Sequence, residues 1–132
     1  MIKEITKYVE QEDGAFVIDA DLFAGFVPST ITADRVVLID AGGKPNFYLP
    51  DAKAKTVQAL SKATDYHVAM ANAMRVYDVL HGISEVDLPV ITAGEEYTVN
   101  TAEAISEPQS LGQDETGLFV VSTNFILRVR DK

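Results

Sequence analysis

Residues 118–130 form the segment that most constrains the fold, because apolar and polar side chains alternate along its length. Alternation with a period of two places successive side chains on opposite faces of a β-strand. One face carries Phe119, Val121, Thr123, Phe125, Leu127 and Val129, and the other carries Leu118, Val120, Ser122, Asn124, Ile126, Arg128 and Arg130. We therefore expect one long strand whose first, more apolar face packs against helices.

The segment between residues 64 and 82 has the spacing of a helix instead. Its apolar side chains recur three and four positions apart and so share one face of a helix. This stripe consists of Tyr66, Ala69, Met70, Ala73, Met74, Tyr77 and Leu80. Thr64 or Asp65 can accept hydrogen bonds from the first free amides, and His81 followed by Gly82 is typical of a helix end.

A shorter helix and several strands are expected in the rest of the chain. Residues 2–12 have helical spacing, and Gly14 ends that helix. Residues 41–51 contain two glycines and two prolines, which favour a loop. Further strands are expected at residues 35–40, 54–63 and 97–107, with a short one near 90–92.

These elements predict a single α+β domain over residues 1–132. We expect a mostly antiparallel sheet of about four strands with two helices packed on one face. The strands at 97–107 and 118–130 are expected to pair as a hairpin. Residues 108–117 would then form a projecting hairpin arm.

Composition excludes several classes of protein. The 132 residues include no cysteine, which rules out disulfides and thiolate metal sites. Eleven basic residues face twenty acidic ones, a net charge of −9, so the chain has few cations with which to neutralise a nucleic-acid backbone. The longest apolar runs, such as 36–39, are too short to span a bilayer. We expect a soluble protein that neither enters a membrane nor binds DNA specifically.

No catalytic motif is present, so we expect a protein that is not an enzyme and has no cofactor or metal. The sequence AGGKP lacks the first glycine and the hydroxyl of a phosphate-binding loop. His67 and His81 would lie about 21 Å apart along one helix, too far to share a metal. The acidic pair Asp114-Glu115 is either a catalytic dyad, the tip of a solvated hairpin or part of a contact surface.

The order of motifs resembles the tail terminator and minor capsid proteins of long-tailed bacteriophages. The most specific match is PQSLGQDETGLFVVSTNFIL at 108–127, in which a proline precedes L-G-x-D-E-x-G and an alternating strand. Supporting segments are DLFAGFVP (21–28), VVLIDAGGKP (36–45) and DYHVAMANAMRVYDVLHG (65–82). The resemblance covers nearly the whole chain.

This resemblance implies a structural virion protein of the tail or neck, assembled in the host cytoplasm. Such proteins form rings, commonly hexamers, that cap the tail tube, stop its polymerisation and dock to the connector under the head, while genomic DNA passes through the lumen. The expected partners are other copies of the chain, the tail tube protein and the head–tail connector or stopper protein. A head-completion or stopper protein, and a small acidic non-enzymatic binding module, remain alternatives.

A ring of identical subunits uses contacts between unlike patches, so two segments are expected at the subunit or partner interface. The DLFAGFV segment should expose large apolar groups, and the arm should reach a neighbour. We expect Asp114 and Glu115 to contact basic or amide groups across a boundary, with Arg128 and Arg130 as candidate partners. The interface residues are Leu22, Phe23, Phe26, Pro108, Gln109, Leu111, Gly112, Asp114, Glu115, Arg128 and Arg130.

Overall fold

A computed structural model describes residues 1–45 and 52–131 of the chain. Within these residues, two helices lie among seven strands that belong to one sheet. In chain order the elements are α1 (Ile2–Asp13), β1 (Leu22–Ala24), β2 (Arg35–Pro45), β3 (Ala52–Ala63), α2 (Tyr66–Leu80), β4 (Ser84–Asp87), β5 (Tyr97–Ala104), β6 (Gln109–Gln113) and β7 (Phe119–Asp131). The predicted sheet of about four strands was therefore too small.

The strands lie in the order β1-β2-β3-β7-β5-β4, and β6 pairs with β7 beyond the end of β5. The pair β1–β2 is parallel, and the other pairs are antiparallel. The predicted mostly antiparallel sheet is thus confirmed. The expected hairpin is also confirmed, because β5 pairs with β7 from Tyr97↔Asp131 to Ala104↔Phe125.

Residues 108–117 do not project from the sheet as an independent arm. The segment β6 stays paired with β7, from Gln109↔Ser122 to Gln113↔Phe119. The register shifts between Ser110 and Gly112, and Gly112 has a φ of 84°, which only glycine adopts without strain. This bulge allows β6 to stay paired with the first residues of β7. The residues expected to form a projecting arm are therefore part of the sheet and the turn at its end.

The helix α2 begins and ends where the sequence predicts. The carboxylate of Asp65 accepts a hydrogen bond from His67 N at 2.8 Å, and the helix ends before His81. Its buried face consists of Ala69, Ala73, Val76 and Leu80. The predicted stripe is therefore rotated, because Val76 enters the core while Tyr66 and Met74 remain more than a third exposed.

The helix α1 lies over the same core and is attached to α2 at its end. Gly14 caps it in the left-handed conformation with a φ of 78°, as predicted. Arg75 of α2 donates two hydrogen bonds to the carboxylate of Asp13, and its guanidinium lies 4.1 Å from the centre of the Phe16 ring. The hydrogen bond from Arg75 is the largest cause of a lowered pKa for Asp13. This ion pair fixes the chain between α1 and β1 against α2.

One core joins both helices to one face of the sheet, as predicted. It contains Ile5 and Val9 of α1, Val76 and Leu80 of α2, and a set of strand residues that includes Val36, Leu38, Val57, Val99, Phe125, Leu127 and Val129. The inward face predicted for β7 is confirmed from Val121 to Val129, since each residue of that alternating set is buried. Phe125 is buried in the same core as α2, also as predicted.

Two local predictions were wrong. Residues 41–45 belong to β2 rather than to a loop, because a register shift between Asp40 and Gly43 lets the strand stay paired with β3. The remainder of the predicted loop, 46–51, lies outside the described residues. The short strand is at Ser84–Asp87 instead of near 90–92, and its mostly exposed side chains gave no apolar alternation to detect.

Replacing Phe125 by alanine is expected to lower the free energy of unfolding by about 3–5 kcal/mol, because a fully buried ring is removed and a cavity remains. The matched control is Phe26→Ala, the same change at a ring that is 73% exposed. We expect that control to change the free energy of unfolding by less than about 0.5 kcal/mol. Urea denaturation followed by circular dichroism measures both, and equal effects would contradict the assignment of the core face.

Candidate functional site

The face of the sheet opposite the helices is only partly covered. Side chains alternate along each strand, so the neighbours of core residues point to this second face. It carries Val37 and Ile39 of β2, Leu60 of β3 and Val120 and Ile126 of β7. Of these, Val37 is buried and the others are half-buried. An apolar sheet surface therefore lies outside the core.

A groove of about 620 Å³ lies over this face, which we call the sheet groove. The loop of residues 25–32 forms one wall, and β2, β3 and the turn before β7 form the rest. Its apolar lining includes Phe26, Val27, Pro28, Ile31, Val37, Ile39, Leu60 and Leu118. Two basic residues, Arg35 and Lys62, also line it.

The two basic residues of the sheet groove occupy directly paired positions on β2 and β3. Lys62 has a counterion, since its Nζ lies 3.2 Å from Asp114 Oδ2. Arg35 donates from Nη1 to the carbonyl of Ala33 at 3.2 Å, and its Nε is buried with no acceptor among the described residues. The groove is thus apolar with one compensated and one uncompensated cation.

Phe26 lines both the sheet groove and a second hollow of about 350 Å³. This hollow lies beside α1 and is lined by Lys3, Thr6, Phe23 and Ile91 among others. Phe26 is 73% exposed, as expected for a contact residue. Leu22 and Phe23 are not, because both are buried: β1 pairs in parallel with β2, and Leu22 joins the core between the sheet and the helices. Their expected exposure was wrong.

The strand β6 forms an exposed edge of the sheet. All five of its residues, which include Gln109, Leu111 and Gly112, are exposed, while Pro108 just before it is half-buried. Leu111 and Ile105 are each 58% exposed. An edge strand without charged side chains offers unpaired backbone groups to a partner.

Asp114 organises the turn between β6 and β7. Its Oδ1 accepts hydrogen bonds from Thr116 N at 2.9 Å, Thr116 Oγ1 at 2.7 Å and Leu118 N at 3.0 Å. Its Oδ2 pairs with Lys62. These bonds, that of the Thr116 side chain first among them, hold the pKa of Asp114 far below its usual range. Such a side-chain-to-backbone turn is typical of aspartate before a tight turn.

The predicted charge partners are not close together within one chain. Glu115 is exposed beside Asp114 at the start of β7, whereas Arg128 and Arg130 lie near its end. The eleven residue-to-residue steps from Phe119 to Arg130 span roughly 36 Å at a rise of about 3.3 Å per residue. Arg130 instead pairs with Glu85 of β4, with 3.4 Å between Arg130 Nη2 and Glu85 Oε2. A contact between these acids and arginines would have to involve another molecule.

Both histidines contact neighbouring side chains or backbone of the same chain. Nδ1 of His81 accepts a hydrogen bond from Ala104 N at 3.0 Å, and its ring stacks on Tyr77 with centroids 4.9 Å apart. His67 contacts the ring of Tyr66 edge to face. In residues 1–45 and 52–131, no cluster of three or more histidine or acidic side chains is arranged to hold a metal ion. Neither helix in that part of the chain is long and apolar enough to cross a membrane.

The sequence matches a known protein family. The model of a family described as bacteriophage tail terminator protein matches residues 9–131. The chain belongs to this family. It is therefore a virion component with a structural role in a phage tail. The suspected family is confirmed over nearly the whole chain.

The fold is also similar to that of a chain in a solved structure. A chain in the "virion of native gene transfer agent (GTA) particle" superposes with a TM-score of 0.63 at 16% sequence identity. The match covers 95% of this tail terminator chain and 93% of the other chain. At this identity the similarity shows a common fold. No curated protein sequence matches the chain.

Neutralising Asp114 is expected to destabilise the fold, whereas neutralising Glu115 beside it is not. Asp114→Asn removes the negative charge from a side chain that accepts several hydrogen bonds, so the variant should have a lower melting temperature than the wild type at pH 7. Because the folded pKa is lowered, the stabilisation is full above the unfolded pKa of about 3.9 and is lost as pH falls towards the folded value. The difference between wild type and variant should therefore shrink below about pH 4.

The control for this experiment is Glu115→Gln, an equivalent change at an exposed neighbour. Thermal melts from pH 7 down to pH 2 measure both variants. Equal melting temperatures for wild type and Asp114→Asn at pH 7 would contradict the structural role of this carboxylate.

Proposed function

We propose that copies of this chain form a closed ring that caps the phage tail tube, ends its polymerisation and joins the tail to the head connector. The observation that carries the proposal is the family match over residues 9–131. A hexameric ring is the expected form. The partners are other copies of the chain, the tail tube protein and the connector or stopper protein beneath the head.

The surface of the domain supports a ring built from unlike patches. Head-to-tail contacts need two different surfaces on each subunit, and they close when the rotation between neighbours closes. The sheet groove lies over β2 and β3, whereas the exposed edge is formed by β6 on the other side of β7. These surfaces are separate and differ in shape, so each copy can offer one to each neighbour.

The charge of the chain supports a lumen through which DNA passes without binding. A net charge of −9 repels the phosphate backbone, and few cations are available to retain it. The proposed role is structural rather than enzymatic, with the chain located in the tail or neck of the virion after assembly in the host cytoplasm. Phe26, Gln109, Leu111, Gly112, Glu115, Arg128 and Arg130 remain candidate interface residues.

Adding the purified chain to polymerising tail tube protein tests this function. We expect tubes that stop growing and carry a ring at one end, with a mean length that falls as the ratio of chain to tube protein rises. Tube protein mixed with an unrelated acidic protein of similar mass is the control. Negative-stain electron microscopy measures tube lengths and the rings.

Other outcomes separate the alternatives. A ring that binds the connector but leaves tube length unchanged would support a head-completion or stopper protein instead. A chain that binds neither tube nor connector would contradict a role in the tail and favour a small acidic binding module.

A further inference from the structure

The sheet groove contains a basic side chain, that of Arg35, that has no acidic partner in the described part of the chain. Like charges at directly paired positions of neighbouring strands are unfavourable, and Arg35 and Lys62 are such a pair. Asp114 compensates Lys62. None of the ion pairs among the described residues includes Arg35, and its buried Nε lacks an acceptor. An unsatisfied buried donor is costly, so the groove is suited to a partner that brings a carboxylate.

The opposite combination occurs at the edge formed by β5 and β6. Ile105 and Leu111 are each 58% exposed, so this edge presents two large apolar side chains to solvent. Glu103 and Glu107 are also exposed in this stretch. We call residues 103–111 the edge segment. It presents apolar side chains beside carboxylates, whereas the sheet groove presents apolar side chains beside a guanidinium whose Nε lacks an acceptor among the described residues.

We propose that the edge segment of one copy docks in the sheet groove of the next copy. Ile105 and Leu111 of one copy lie against the apolar lining, and Glu107 of that copy pairs with Arg35 of its neighbour. The inference rests on the proposed ring and names the contact that builds it. Because every copy carries both surfaces, the same contact repeats from subunit to subunit.

Charge reversal tests the contact. Arg35→Glu and Glu107→Arg, made singly, are each expected to weaken self-association by about tenfold or more, because each places like charges together. The double variant restores opposite charges and should recover association to within about threefold of wild type. Glutamate at position 35 faces Lys62 across the strand pair, so the fold should tolerate it. Melting temperatures verify that each variant is folded.

Controls for charge and for apolar contact come from the helical layer. Glu12→Arg reverses an exposed acid on α1 and should leave association unchanged. Leu111→Ser should weaken association, whereas Val68→Ser, at a 38% exposed position of α2, should not. Sedimentation velocity of the full chain over a range of concentrations measures association in every case.

The outcomes are separable from those of the tube-capping experiment. Wild-type association with no loss in either single reversal would overturn this contact while leaving the proposed ring intact. A wild-type chain that stays monomeric at the highest concentration reached would also overturn it, and tube capping would still decide the proposed function. Loss in both singles without recovery in the double variant would refute the pairing of Glu107 with Arg35.

Discussion

The strand β7 is hydrogen-bonded along both edges, and the rest of the fold depends on this pairing. One edge pairs with the whole of β3, and the other pairs first with β6 and then with β5. Its inward side chains, from Val121 to Val129, pack beneath α2, and those from Phe125 onward share one core with α1. Because one strand supplies both the ladder and the core, its register fixes which residues reach the second face and where the exposed edge begins.

That second face is where stability and assembly conflict. The helices cover one side of the sheet, while the loop of residues 25–32 covers the other incompletely. Half-buried apolar groups such as Leu60 and the paired cations Arg35 and Lys62 are left beside it. Incompletely covered apolar groups and the buried Nε of Arg35 without an acceptor both cost free energy in an isolated chain. In the proposed ring, a neighbour that supplies apolar surface and a carboxylate would offset both costs.

The sequence predicted elements whose physics is local. Alternation in β7 and the helical spacing of α2 gave correct elements and a correct core face for Phe125. Interactions between distant parts of the chain could not be predicted from the sequence. The ion pair between Lys62 and Asp114 joins residues far apart in sequence, and Leu22 is buried because β1 pairs in parallel with β2. The short strand β4 has no apolar alternation, since pairing with β5 alone defines it. The sheet groove, formed by the loop of residues 25–32, β2, β3 and the turn before β7, could be found only in the structure.

The proposed ring can be tested by a cryo-electron microscopy reconstruction of the tail end of a particle that contains this chain. We expect a closed ring at the end of the tube nearest the head, in which neighbouring subunits are related by rotation and meet through unlike surfaces of the sheet. We also expect the helical layer to take no part in the contact between subunits. A chain located away from the tube end, or subunits paired about two-fold axes through their helices, would contradict the proposed ring.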